Sequence, residues 1–166
     1  RLLRERTPEL QAILPVAPIL ELGLVEGLVQ GEDGVKLVQG QVREALFAAD
    51  AAVVASGTAT VEAALSQPPF VVVYKLSALT YLVGRLLVRG VKFFAMPNLI
   101  AGKLVVPELL QGEVTATRLA AELERLLNDQ TTRRRVESEL AIVREQLRGG
   151  LGDGKSAGER AARWRH

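Results

Sequence analysis

The strongest constraint on this chain is an alternation in the period of its apolar residues. Runs that are apolar at consecutive positions, Ala12 to Val16, Val35 to Val38, Ala51 to Ala55 and Phe70 to Tyr74, are separated by stretches with helical spacing. Consecutive apolar positions suit strands buried on both faces. Intervals near or above the roughly 10 to 12 residues of a crossover suit helices between parallel strands. The pattern predicts an α/β protein: a Rossmann-like parallel sheet with flanking helices. No internal repeat and no low-complexity tract competes with it.

The intervals carry their own signals. Gln41 to Ala49 can form a short helix ending near Asp50. Thr58 to Leu65 reads as a helix stopped by Ser66-Gln67-Pro68-Pro69, because proline lacks an amide hydrogen and disfavours helical geometry in the residue before it. Leu79, Leu82, Val83, Leu86 and Leu87 follow an i, i+3, i+4, i+7, i+8 stripe, with Arg85 and Arg89 off it. Leu119, Leu123, Leu126 and Leu127 mark a helix capped by Thr115. Thr131 is expected to cap another that ends at Gly149-Gly150. Residues 1–147 then form one domain, followed by a basic tail or helix over 148–166.

Composition removes several function classes. The 166 residues are 48% hydrophobic and 24% charged, close to the average for folded globular chains. There is no cysteine and a single His166 at the end, which excludes disulfide scaffolds, thiolate metal sites and Ser-His or Cys-His catalysis. No apolar run reaches the ~18 residues that cross a bilayer. The chain opens at Arg1 without a leader pattern and is expected to be a piece of something longer. Charge is unevenly spread. Residues 1–74 carry −4, and 75–103 carry +5 from Lys75, Arg85, Arg89, Lys92 and Lys103 with no acid; 104–143 carry −2 and 144–166 carry +3. Aromatic residues are only 4%, and no basic stretch has a reading motif for nucleic acid, so none is expected as a partner.

The most informative segment is Ala51-Ala-Val-Val-Ala-Ser56-Gly57-Thr58-Ala59-Thr60-Val61-Glu62. A buried strand runs into a turn of small hydroxyl residues and a glycine, then into a helix. In a parallel sheet that junction lies at the carboxyl end of a strand, where ligands bind, and the first amides of the helix are unpaired. The amides of Ser56 to Thr60 can grip an anion, the hydroxyls of Ser56 and Thr58 add donors, and Gly57 lets a phosphate oxygen approach the backbone. Glu62, one turn on, can accept two hydrogen bonds from a ribose diol. The same residues would also serve as an ordinary N-cap and a solvated helix carboxylate.

A second segment is Phe93-Phe-Ala-Met96-Pro97-Asn98-Leu-Ile-Ala-Gly102-Lys103-Leu-Val-Val-Pro107-Glu108-Leu-Leu-Gln111. Its prolines and glycine predict a fixed loop carrying Asn98, whose amide can hold a phosphate or sugar hydroxyl or simply tie a turn. Gln111 is read as following a short helix, which Glu108 can cap.

Taken together, Ser56-Gly-Thr-Ala-Thr-Val-Glu62, Val71-Val-Val-Tyr-Lys75 with Thr80-Tyr81, Met96-Pro-Asn-Leu-Ile-Ala-Gly102 and Val105-Val-Pro-Glu-Leu-Leu-Gln111 resemble the carboxyl-terminal half of the lipid-A-disaccharide synthase family. The resemblance covers most of residues 8–147, with four motifs in the same order. It implies the nucleotide-binding half of a GT-B glycosyltransferase with two Rossmann-like halves, acting without metal or other cofactor. The implied reaction transfers diacylglucosamine from a UDP-sugar donor to an acylated glucosamine phosphate acceptor. The implied place is the cytoplasmic face of the inner membrane, peripherally bound.

By the same resemblance, Ser56, Gly57, Thr58, Ala59, Thr60 and Asn98 match donor-diphosphate contacts and Glu62 the nucleoside-contacting carboxylate. The general base and acceptor site would belong to an amino-terminal domain that is absent here. Lys75, Arg85, Arg89, Lys103 and Gln111 are candidates for contact with substrate or an anionic membrane, at on the order of 1 kcal/mol per basic group near such a surface. Assembly into a homo-oligomer is left open. Two other readings stand beside this one: a different UDP-sugar enzyme such as an epimerase, and a non-catalytic sugar-nucleotide-binding module.

Overall fold

The computed structural model describes residues 1–55, 57, 59–66, 68–75 and 93–152, the last four as helical backbone. Ser56, Thr58, Arg85, Arg89, Lys92, the stripe from Leu79 to Leu87 and the tail from 153 onward lie outside the described residues.

The described residues hold five strands and six α-helices, and the strands are all paired in parallel: β1 (Ala12–Val16), β2 (Val35–Gln39), β3 (Ala52–Ala55), β4 (Phe70–Tyr74) and β5 (Glu108–Leu110). The helices are α1 (Leu22–Val29), α2 (Val42–Ala48), α3 (Ala59–Leu65), α4 (Met96–Ala101), α5 (Ala116–Asn128) and α6 (Gln130–Gly152). The α/β class and the first four strands follow the apolar runs closely. The strands divide into two sheets, β1-β2 and β3-β4-β5.

The division decides where the core sits. β4 is central, and its Phe70, Val71 and Val72 are essentially inaccessible to solvent. Around it pack Leu109 of β5, Ala63 and Ala64 of α3, Leu126 of α5, and Val136, Leu140 and Val143 of α6. The expectation of burial on both faces therefore holds for β4 and fails for β1 and β2. Ile13 and Leu14 remain 42% and 39% exposed, because only two strands pair there and α1 buries none of its residues. Pro15, opposite Val38, removes one amide from β1, which a strand with an open edge tolerates.

Helix ends follow their chemistry. Thr115 caps α5 as expected, its hydroxyl oxygen accepting from the Arg118 amide at 3.2 Å. The cap of α6 is Asp129, not Thr131. Its carboxylate accepts from the amides of Thr131 (2.9 Å) and Thr132 (3.2 Å) and from the Thr132 hydroxyl (2.6 Å). A carboxylate suits a helix start better than a hydroxyl, since it also meets the positive end of the helix field. Nor does α6 stop at Gly149-Gly150; it continues to Gly152. Glycine lowers helix stability by about 1 kcal/mol relative to alanine and does not by itself terminate a helix.

Candidate functional site at the carboxyl edge of the three-stranded sheet

Ligands of parallel sheets gather where strands end and loops begin. In the three-stranded sheet Ala55 lies opposite Val73, and Tyr74 opposite Leu110. Gly57, Lys75 and Gln111 each follow one of these three neighbouring strands within two residues of its carboxyl end. With strands ~4.8 Å apart, the three strand ends span about 10 Å along one edge. Three sequence candidates separated by up to 54 positions thus become neighbours on a single ledge.

Each has a local reason for its place. Gly57 has φ 140°, a conformation that residues with a Cβ rarely adopt, and a Cβ there would meet nothing within 4 Å. The backbone is thus approachable at that point. Lys75 follows β4 and is exposed, with no acidic partner among the described residues. Gln111 has φ 50°, the one positive φ outside glycine among the described residues, where β5 gives way to a 3-10 turn over Gln111–Glu113. The Leu110 amide is held there by a Glu113 carboxylate oxygen at 3.2 Å. Gln111 accordingly follows a strand, not the short helix expected. Glu62 is exposed in the first turn of α3. Tyr74 stacks on Phe94 at 6.0 Å and 24° between planes, walling the ledge beside Lys75.

Thr60 does not serve as expected. Its amide and hydroxyl both donate to the Gly57 carbonyl, at 3.1 and 2.6 Å, and its side chain is 2% exposed. The donors left to this turn among the described residues are the amides of Gly57 and Ala59, which precede the first intrahelical bond.

Asn98 also takes a different place. It lies in the first turn of α4, wholly buried, with every polar valence engaged. Its Nδ2 donates to the Val106 carbonyl (2.8 Å) and to Glu108 Oε1 (2.7 Å), and its Oδ1 accepts from the amides of Val105 (2.8 Å) and Val106 (2.9 Å). No side-chain atom is left for a phosphate. Asn98 ties α4 to the segment entering β5, the structural alternative of the sequence reading.

Glu108 completes this tie. Its carboxylate accepts from the amides of Phe94 (3.0 Å) and Ala95 (2.9 Å), capping α4 from thirteen residues downstream. Ala95, at the cap position, has no side chain able to do so, and no local motif signals the remote cap.

Lys103 pairs with Glu139 of α6 at 3.2 Å, and it precedes β5, at the opposite edge from Lys75. The acid-free span therefore does not converge into one basic patch among the described residues. No three His, Cys, Asp or Glu side chains cluster as metal ligands among the described residues, and no described helix is long and apolar enough to cross a membrane.

The family model described as "Lipid-A-disaccharide synthetase" matches residues 1–150. A lipid-A-disaccharide synthase of Anaeromyxobacter dehalogenans is 45% identical over 153 residues, 91% of this chain and 39% of the relative. Those of Myxococcus xanthus and Syntrophus aciditrophicus are 46% and 42% identical over 164 residues, 98% of this chain and 41% of each relative. The chain spans about two fifths of the length of these curated relatives.

Proposed function

Because the chain belongs to the lipid-A-disaccharide synthase family, we propose that it is the donor-binding part of a glycosyltransferase of lipid A biosynthesis. The donor is a UDP-linked diacylglucosamine and the acceptor an acylated glucosamine phosphate. The epimerase-like alternative loses its support, since the family model and the relatives carry synthase names.

The observation that carries the reading is that Gly57, Lys75 and Gln111 follow the carboxyl ends of three neighbouring parallel strands. Their span of about 10 Å suits a diphosphate with its attached sugar. The Gly57 and Ala59 amides and the Lys75 ammonium face the negative charge that grows on the diphosphate as the glycosidic bond breaks. Donors fixed in advance at the place where charge develops lower the barrier without moving a proton. α3 has only seven residues, so its dipole adds little, and the cation at Lys75 carries most of the compensation. Glu62 receives the ribose hydroxyls, and Gln111 faces the sugar end of the ledge.

Deprotonation of the acceptor hydroxyl belongs to the opposite wall of the cleft, in a second Rossmann-like domain completing the GT-B arrangement. Peripheral contact with an anionic inner-membrane surface and self-association go with the same reading. Lys75, exposed and without an ion pair among the described residues, is taken as one such contact, and Arg85 and Arg89, outside the described residues, stay candidates from the sequence.

UDP titration of the full chain by calorimetry tests the reading. Lys75→Ala and Glu62→Ala are each expected to weaken UDP about tenfold, the worth of one good charge-assisted or bidentate contact. Unchanged affinity in both variants overturns the site.

A further inference from the structure

A second polar cleft lies at the opposite, amino-terminal edge of the three-stranded sheet. It has a volume of about 310 Å³ and is lined by Ala49, Pro68, Arg133, Glu137 and Arg144. Ala49 and Pro68 lie three and two residues before β3 and β4, whereas the ledge follows them, so the strands separate the two places by about 13 Å.

The cleft is built by one face of α6. At 3.6 residues per turn, Arg133, Glu137 and Arg144 fall within an arc of about 40°, beside the buried stripe of Val136, Leu140 and Val143. Arg133 and Arg144 are about 16 Å apart along the helix axis, yet both reach the same cavity. Arg133 donates its Nε to Glu137 Oε1 at 2.8 Å, and no bond of its terminal nitrogens is recorded among the described residues.

Arg144 supplies the telling atom. Its Nε is buried and has no hydrogen-bond partner. Burying a charged group's donor unpaired is costly, so native structures rarely leave one without an acceptor. The cavity that Arg144 lines is shared by a second guanidinium, that of Arg133.

We infer that the cleft between α6 and the amino ends of β3 and β4 binds a small oxyanion, a phosphate or carboxylate group held by Arg144 and Arg133. Planar guanidinium forks match such groups in geometry as well as charge. Glu137 limits the lining to a net charge of +1, which selects a single oxyanion and disfavours polyanions.

The test is a titration of the full chain with inorganic phosphate, with acetate and with chloride at matched ionic strength, followed through the arginine Nε–H signals in ¹H–¹⁵N spectra. The Arg144 signal is expected to shift saturably with phosphate, less with acetate, and not with chloride. Arg133→Gln, followed at the Arg144 Nε–H, and Arg144→Lys, followed at the Arg133 Nε–H, are each expected to weaken phosphate at this cleft at least about tenfold, Arg144→Lys because it keeps the charge but loses the fork. An Arg144 signal that stays put, or follows chloride equally, overturns the site and leaves the cleft to water. So does an unchanged phosphate affinity in both variants, since the response then belongs to the ledge across the sheet. If one variant fails to fold, the wild-type spectrum and the other variant decide.

Discussion

Glu108 Oε1 lies 2.7 Å from Asn98 Nδ2 and 2.9 Å from the Ala95 amide, so one carboxylate oxygen fixes both the start of α4 and the residue at its centre. The pair ties the start of α4 to the segment that enters β5. A side chain that a sequence motif points to as a ligand contact is here the support for a neighbouring surface.

Removing the acceptor should therefore cost more than changing its charge. Glu108→Ala leaves the amides of Phe94 and Ala95 without their cap and deprives Asn98 Nδ2 of one partner. A loss of about 2 to 4 kcal/mol is expected in urea unfolding. Glu108→Gln retains one carbonyl oxygen in the Oε1 position and should lose about 1 kcal/mol. Equal losses in the two variants would show that the cap is not what Glu108 contributes.

Asn98→Asp sharpens the same point. It removes both Nδ2 donations and sets a second carboxylate against Glu108 in a buried position. Two facing carboxylates cannot both ionise cheaply, so the variant should be destabilised by about 3 kcal/mol at neutral pH and recover partly near pH 5 as one is protonated. Wild type should show no such recovery, and urea midpoints at the two pH values read the difference.

How much of this was legible follows from the range of each interaction. β4 was visible because burial on both faces leaves an apolar residue at every position from Phe70 to Val73. The Thr115 cap was visible because its partner is three residues away. β5 was not, since three residues after Pro107 look equally like the start of a helix. The ledge itself could be found only from strand order: Gly57, Lys75 and Gln111 sit in unrelated motifs, and only parallel pairing brings the ends of the strands before them side by side. The engagement of Asn98 with the Val106 carbonyl and Glu108 likewise needs the turn to be closed first. The exposure of β1 depends on how many strands join its sheet, which local periodicity does not encode.

That exposure makes stability uneven along the chain. Leu140 of α6 is fully buried, whereas Leu28 of α1 is 83% exposed. Leu140→Ala should lower unfolding free energy by about 3 kcal/mol through lost burial and the cavity left behind. Leu28→Ala should stay within about 0.5 kcal/mol. Comparable losses from the two would mean that α1 is covered in solution.

Acid should act through the start of α6. Hydrogen bonding by the Thr132 hydroxyl, then by the Thr132 amide, holds the Asp129 carboxyl below its ordinary value of 3.8. The unfolded chain then takes up that proton first. The contribution is complete above about pH 4 to 5 and is lost as pH falls through the ordinary value toward the depressed folded one. Asp129→Asn, which keeps an acceptor oxygen but cannot titrate, should show a shallower fall in stability over that window. Parallel curves for the two proteins would remove Asp129 from the acid response.

Gly57 offers the cleanest separation of backbone from ligand effects. Its φ of 140° is open to glycine and strained for alanine, yet the space a Cβ would occupy is empty. Gly57→Ala therefore cannot act by clashing with the fold and should cost about 1 to 3 kcal/mol of stability through conformation alone. A methyl group on the open side of the turn would also stand where a diphosphate oxygen approaches the amides of Gly57 and Ala59. UDP affinity should then fall by more than the Lys75→Ala value of about tenfold, because the methyl group blocks the approach to both amides at once. Measuring both quantities on the same preparation distinguishes the cases. A stability loss with unchanged UDP affinity would mean that the turn is strained for a structural reason and that the nucleotide is held elsewhere on the edge.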